Sequence, residues 1–313
     1  MKNRKFLGAA VSVCCLLAMA ATPAFADLLD DITKAKKIRI STDLAIPPSG
    51  MMDSTMKPTG SDVEVAQLLA KDWGLELEFI ATTGATRIPN VNTGKADIII
   101  STLSVTPDRA KVIDFTNRYA TLQSDIGCLK SLNVKDWPDL KDKTVGVSRG
   151  TTQDTTLSNM KDKELKIARY DDDATEVTAA VSGQVDCIGS SATIINQIGV
   201  KNPARVFESR IPLATFDLAI GLKKGEVRLL EKLNAWIADN IKNGKLASVD
   251  VLSYPNDRRT SRNINEQALP LLEQEAIQAQ SADVDIVSGA TLTSHAYVQS
   301  LNSALASARG SHA

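Results

Sequence analysis

Between residues 37 and 188, short runs rich in β-branched and apolar residues recur along the chain: Lys37–Ser41, Leu75–Phe79, Ala96–Ser101, Thr144–Val147, Ile167–Tyr170 and Val185–Ile188. Runs of this length and composition read as strands. Other stretches carry a 3.6-residue period. Ser61–Trp73 places Val65, Leu68, Leu69 and Trp73 on one face, and Ala174–Val181 and Glu226–Ile241 also read as helices. Alternating strands and helices predict parallel sheets in an α/β fold, with ligands beyond the carboxyl ends of the strands. The rhythm changes near Asn243-Gly244, followed by a polar turn at Tyr254-Pro255-Asn256-Asp257-Arg258-Arg259. Beyond that boundary the pattern predicts a strand at Ser248–Leu252 and a helix from about Leu269 to Gln280, with Pro270 in its first turn. A turn at Ser288-Gly289-Ala290 and a last helix from about Ser294 to Ala308 follow. The tail Arg309-Gly310-Ser311-His312-Ala313 is set aside as a frayed end or a cloning scar.

The amino end obeys a different logic. Basic Met1-Lys2-Asn3-Arg4-Lys5 precedes an apolar stretch, Phe6–Ala21, and the small-x-small site Ala24-Phe25-Ala26. This order predicts a secretory signal cleaved before Asp27; a spanning helix needs about 20 apolar residues and lacks such a site. An uncleaved anchor and lipidation at Cys14 or Cys15 are the alternatives, the latter disfavoured by Val13.

Cleavage takes Lys2, Arg4 and Lys5 from the 36 bases and none of the 37 acids, so 33 against 37 leaves a formal charge of −4. A mildly acidic chain gives no reason to expect nucleic acid as a partner. With 313 residues, 43% of them hydrophobic, there is ample chain for two domains or one large one. Only Cys128 and Cys187 remain after export, in a compartment where disulfides persist. The two histidines, His295 and His312, lie near the carboxyl end, so the main body has no imidazole for a Ser-His-Asp arrangement. Two cysteines alone cannot close a four-ligand zinc site.

Residues 36–243 resemble the family 3 solute-binding proteins of amino-acid ABC transporters. The resemblance is carried, in order, by Ser41-Thr42-Asp43-Leu44-Ala45-Ile46-Pro47-Pro48, Pro58-Thr59-Gly60-Ser61-Asp62-Val63 and Arg87-Ile88-Pro89. It continues through Ser101-Thr102-Leu103-Ser104-Val105-Thr106-Pro107-Asp108-Arg109, Val112-Ile113-Asp114-Phe115-Thr116 and Gly150-Thr151-Thr152-Gln153. Arg109 follows a strand end and a run of hydroxyls, where its planar fork could hold a carboxylate through two parallel bonds.

The resemblance implies a two-lobed fold in which Thr102, Ser104, Arg109 and Thr152 grip a ligand α-carboxylate. It adds Asp43 to the ligand set and gives Arg87 a second, side-chain carboxylate. A small carboxylate-bearing solute, an acidic amino acid or a dicarboxylate, is the expected ligand, with an ABC permease as a possible partner. Two places depart from the pattern. The family's aromatic near Ile46 and Ser49 is absent, and so is its ammonium-binding aspartate near Ser190-Ser191. An unpaired buried ammonium is costly, which favours an anion over a standard α-amino acid. By the same resemblance Cys128 and Cys187 fall on neighbouring strands, as a bridge or as two buried thiols.

Residues 245–308 resemble the carboxyl-terminal part of FMN-binding domains in exported flavoproteins and membrane redox pumps. The match centres on Asp285-Ile286-Val287-Ser288-Gly289-Ala290-Thr291-Leu292-Thr293-Ser294, flanked by Asp250-Val251-Leu252-Ser253-Tyr254-Pro255 and Ala279-Gln280-Ser281. It implies that a periplasmic flavin transferase joins FMN covalently to Thr291, with Asp285, Ser288, Gly289 and Ala290 completing the recognition pattern. Small residues at 289 and 290 would leave the acceptor hydroxyl approachable. The plainer reading is a turn feeding a helix capped by Thr293 or Ser294. The family's amino-terminal hairpin is missing.

The expected whole is α/β, a two-lobed periplasmic-binding-protein fold with a small α+β FMN-binding-like module. Its parts are a signal at 1–26, a binding body at 27–243 and a flavin module at 244–313. Within the body, 36–122 and 218–243 would form one lobe and 123–217 the other. Ligand recognition would be joined to electron transfer or redox sensing through a membrane redox partner. A plain transport receptor with an unused flavin module and a flavin-dependent reductase are the alternatives.

Overall fold

The computed structural model describes residues 27–160, 165–242, 259–279 and 281–310. The predicted signal, the strand expected at Ser248–Leu252 and residues 311–313 lie outside the described residues. Helix α1 (Leu28–Ala35) leads into β1 (Lys37–Thr42); a small hairpin, β2 (Met51–Met52) and β3 (Pro58–Thr59), precedes α2 (Ser61–Trp73) and β4 (Glu76–Ala81). Next come α3 (Arg87–Asn92), β5 (Ile98–Ile99), α4 (Pro107–Ala110) and β6 (Ile113–Phe115). The chain then passes to β7 (Ala120–Leu129), β8 (Thr144–Ser148), α5 (Thr152–Asn159), β9 (Lys166–Tyr170), α6 (Asp173–Ser182), β10 (Cys187–Ser191), α7 (Ala192–Lys201) and β11 (Phe207–Leu218). It returns through β12 (Gly221–Lys223) and α8 (Val227–Lys242), and α9 (Arg259–Ala279) and α10 (Thr291–Gly310) follow.

Two five-stranded sheets result, in the orders β4-β1-β5-β12-β6 and β11-β7-β10-β8-β9. The expectation of wholly parallel sheets needs correction, because β12 and β7 each run antiparallel to both neighbours. The reason is connectivity. These two strands follow β11 and β6 directly, with no helix to carry the chain back to the starting edge. The two crossings lie side by side, joined by Thr116 N to Ile220 O at 3.0 Å and Tyr119 N to Leu218 O at 3.0 Å.

The first sheet is covered on both faces. Ile98, Ile99 and Ile100 are all fully buried, alternating between a cluster with Ile38, Ile40, Leu69 and Leu233 and one with Val91, Leu103 and Ile113. The second sheet buries Ile126, Val145, Val147 and Leu157 on one face and Ile188, Ile195 and Phe207 on the other. Cys128 and Cys187 face each other in the β7–β10 register and are joined as a disulfide. The long strands β7 and β11 were not expected from the pattern. β11 contains Pro212, tolerated because β11 is an edge strand with irregular register there.

In the carboxyl-terminal segment, α9 begins ten residues before the expected Leu269, so Pro270 lies inside the helix and not in its first turn. The polar run before Leu269 conceals a face on which Ile264, Ala268, Leu272 and Ala276 pack with Tyr297 and Leu301 of α10. That packing offsets the hydrogen bond a mid-helix proline removes.

Candidate functional site

A cavity of about 780 Å³ lies between the two sheets, lined from both. Its polar walls sit just past the carboxyl ends of parallel strands: Asp43 after β1, Thr102 and Ser104 after β5, Thr152 after β8, Asp173 after β9 and Ser190-Ser191 at the end of β10. Local capping fixes two of them. Thr151 accepts the Asp154 N–H and so starts α5 at Thr152, while Asp172 accepts the Thr175 N–H at 2.7 Å and so starts α6 at Asp173. The first turn of α5 therefore presents Thr152 and Gln153 to the cavity.

Arg87, the first residue of α3, is 7% exposed and lines the cavity. One of its N–H groups donates to Ser101 O at 2.6 Å, but its Nε is buried without a partner. The Tyr119 hydroxyl, on the same wall, is likewise unpartnered. Three carboxylates face these donors: Asp43, Asp62 and Asp173, each at most 8% exposed. Asp43 accepts from Ala45 N at 2.9 Å and Asp62 from the Thr102 hydroxyl at 2.7 Å. Burial pushes the Asp62 carboxyl up to about 6 despite the Thr102 bond, and pushes Asp173 to about 6 and Asp43 upward as well. Burial also lowers the Arg87 guanidinium, opposed by Asp173, Asp43 and Asp62 in that order. Thr102 holds φ at +45°, a strained conformation for a β-branched residue that its bond to Asp62 helps maintain.

The structure thus brings Asp43, Arg87, Thr102, Ser104 and Thr152 around one cavity but leaves Arg109 out of its wall. Two of the five N–H groups of Arg109 donate to Ser104 O at 2.8 Å and, across the cleft, to Gly150 O at 3.0 Å. Two hydroxyls expected as ligand donors are also engaged elsewhere. Thr102 donates to Asp62, and Thr152 donates to Gln153 Oε1 at 3.1 Å. Ser190 and Ser191 do line the cavity where no aspartate stands, yet carboxylates reach it from Asp62 and Asp173. Sequence reasoning missed both in this role. Asp62 sat within a recognised fragment, and Asp173 looked like one more acid at a helix start.

At the other end of the chain, Thr291 is the exposed first residue of α10, so the helix begins before Thr293 and Ser294 and neither serves as its cap. Thr293 donates to Asn265 at 2.6 Å, and the Ser294 hydroxyl accepts from Val287 N and donates to Ala290 O. Asp285, Ser288 and Gly289 are exposed. Gly289 holds φ at +80° with open space where a side chain would stand. Ala290 is small for a different reason than expected: it is 6% exposed and packs in the α9–α10 core. Exposed Ile286 and Leu292 flank the turn. An approachable hydroxyl on a fixed helix start, beside an open glycine, fits attachment of a phosphate-bearing cofactor.

Two mixed sheets closing on a polar cavity beyond their strand ends define a two-lobed binding protein of the periplasmic type. The chain belongs to the bacterial extracellular solute-binding proteins, family 3, which residues 38–250 match. Residues 234–306 match the FMN-binding domain. The two matches overlap on α8, where Ile237 packs in the core of the first sheet. Among relatives, a probable histidine-binding protein of Neisseria gonorrhoeae is 26% identical over 75% of this chain and 89% of its own length. An arginine-binding ABC transporter protein of Escherichia coli is 26% identical over 65% of this chain and 85% of its own. A solved L-cysteine solute receptor of N. gonorrhoeae superposes with a TM-score of 0.66 at 30% identity, covering 70% of this chain and 89% of that one. Among the described residues no helix is long and apolar enough to cross a membrane.

Proposed function

We propose that this chain is an exported receptor for an amino acid, carrying FMN covalently on Thr291. The observation that supports the first part is Arg87, a buried guanidinium with an unpartnered Nε in a cavity whose other charged walls are carboxylates. That arrangement complements a ligand with both a carboxylate and an ammonium. The carboxylate takes the free Arg87 donor and the first turn of α5, where Thr152 and Gln153 face the cavity. The ammonium takes the acids that the Ser190-Ser191 position lacks. Ser104 and Asp43 complete the wall, and Arg109 links the Ser104 segment to the Gly150 loop. The relatives' names, for histidine, arginine and L-cysteine, agree with an amino acid. An acidic side chain, the expectation from sequence, would meet three carboxylates.

In this reading residues 27–243 form the binding body in the periplasm after cleavage at Ala26, and 244–313 carry the flavin. A flavin transferase loads Thr291, with Asp285, Ser288, Gly289 and Ala290 shaping the approach. FMN supplies one- and two-electron transfer, and a membrane redox partner or an ABC permease takes the output. Calorimetric titration of the mature full-length protein with a panel of L-amino acids tests the receptor; absence of binding by every member rejects it. The intact mass of protein from a periplasm containing the transferase tests the flavin. An addition of one FMN less one water, absent from Thr291→Ala, is expected, and unmodified mature protein rejects the attachment.

A further inference from the structure

The apportionment of charge in the cavity narrows the ligand further, given the amino-acid reading above. An amino acid's own ammonium and carboxylate can satisfy one of the three acids and Arg87. Two carboxylates then remain at the wall, desolvated by the ligand itself. Leaving them there against an uncharged side chain is costly, and a cation on that side chain removes the cost. No salt bridge reaches Asp43, Asp62 or Asp173 among the described residues; Asp62 accepts from Thr102, Asp43 accepts from Ala45, and Ser148 is the hydrogen-bonding side chain beside Asp173. Asp173 also stands where the main cavity adjoins an apolar side pocket of about 180 Å³. Ile46 and Ile194 line both spaces beside it, one from each half of the molecule, and offer apolar surface to an aliphatic stem. Across the cleft, the buried and unpartnered Nε of Arg87 marks the anionic end of the same ligand.

We infer that Asp173 selects an amino acid with a cationic side chain, its carboxylate receiving the side-chain charge. The test is calorimetric titration of the full mature chain with cationic L-arginine and L-lysine, uncharged L-citrulline and L-glutamine, and L-glutamate. L-arginine and L-citrulline are nearly the same shape and differ in charge. Arginine should bind roughly 10- to 100-fold more tightly than citrulline, the range for a charge-assisted bond. Asp173→Asn should remove most of that ratio by weakening arginine far more than citrulline, since only the charge is lost. Asp173→Glu, which keeps the charge, should keep a preference for arginine, and melting curves show whether each variant is folded. Equal binding of arginine and citrulline overturns charge selection and leaves the receptor reading standing. A ratio unchanged in folded Asp173→Asn overturns the assignment to Asp173. Binding of none of the five overturns the cationic selection, and the wider amino-acid panel then decides the receptor reading.

Discussion

In the cavity, Asp43, Asp62, Arg87 and Asp173 come from distant parts of the chain and are buried together, whereas Asp285, Ser288, Gly289 and Thr291 lie within seven residues of one another and are exposed. The chemistry of the first set is made by the fold. Burial raises its acids, and each charge is felt by the others. The second set needs only a turn and a helix start, because its proposed chemistry is done to it by another protein. The two regions should therefore fail independently.

The largest expected effect tests that independence. Thr291→Ala should abolish the flavin mass addition and leave ligand affinity unchanged within about twofold, because its effect stays at the exposed turn. Arg87→Met should do the reverse. It removes a cavity-lining guanidinium facing three acids, and losing one partner of a buried charge constellation costs about 3 kcal/mol or more, roughly 100-fold in affinity. Flavin loading measured by mass should be intact in that variant. A flavin signal that falls with ligand affinity would mean that the two regions are coupled through the fold.

The third effect concerns stability. Folding holds the Asp62 carboxyl at about 6, above its ordinary 3.8, because it is buried near Asp43 and only partly compensated by Thr102 and Arg87. Between those values the folded protein binds more protons than the unfolded chain, so this group's contribution to stability falls as pH rises from about 4 to about 6 and stays low above it. Asp62→Asn should raise the stability of the ligand-free protein at pH 7.5 by up to about 3 kcal/mol, with parity returning near pH 4. Thermal melts across that range read the difference directly.

The same contrast explains what could be read from the chain. The FMN-attachment pattern is local, and residues 234–306 match that domain; the helix Ser61–Trp73 is equally local and spans those residues in the structure. The cavity fragments around Asp43, Arg87 and Thr102 were legible as an ordered series. The destination of each donor was not, because hydrogen bonds such as Arg109 to Gly150 join loops from opposite sheets. Strands β7 and β11 escaped the pattern because their burial changes along their length: β7 is exposed at Ala120 and Thr121 and buried from Ser124 to Cys128. Asp173 escaped because an acid at the start of a helix is ordinary chemistry there. Only the approach of the second sheet turns it into a cavity wall.

The smallest effect is expected at two glycines that separate the regions most finely. Gly84 and Gly150 lie on loops from opposite halves, and a methyl group added at Gly84 would stand 2.8 Å from the Arg149 carbonyl oxygen and 3.3 Å from Thr151 Cγ2. All of the nearest atoms belong to the other half, so moving the halves apart relieves the clash. Gly84→Ala should thus weaken ligand binding by about 1 kcal/mol, roughly fivefold, while the ligand-free melting temperature stays the same. A fall in ligand-free stability would mean that the contact belongs to a fixed fold and the cleft does not open. Gly289→Ala is the counterpart. It meets no atom within 4 Å, but at φ +80° it carries a backbone cost of about 1 kcal/mol. That cost should appear only as fraying of the turn before α10, read by amide exchange, with ligand affinity untouched. One glycine is required by a neighbour across a cleft and the other by its own backbone, and the two substitutions distinguish a site assembled by closure from one assembled by a turn.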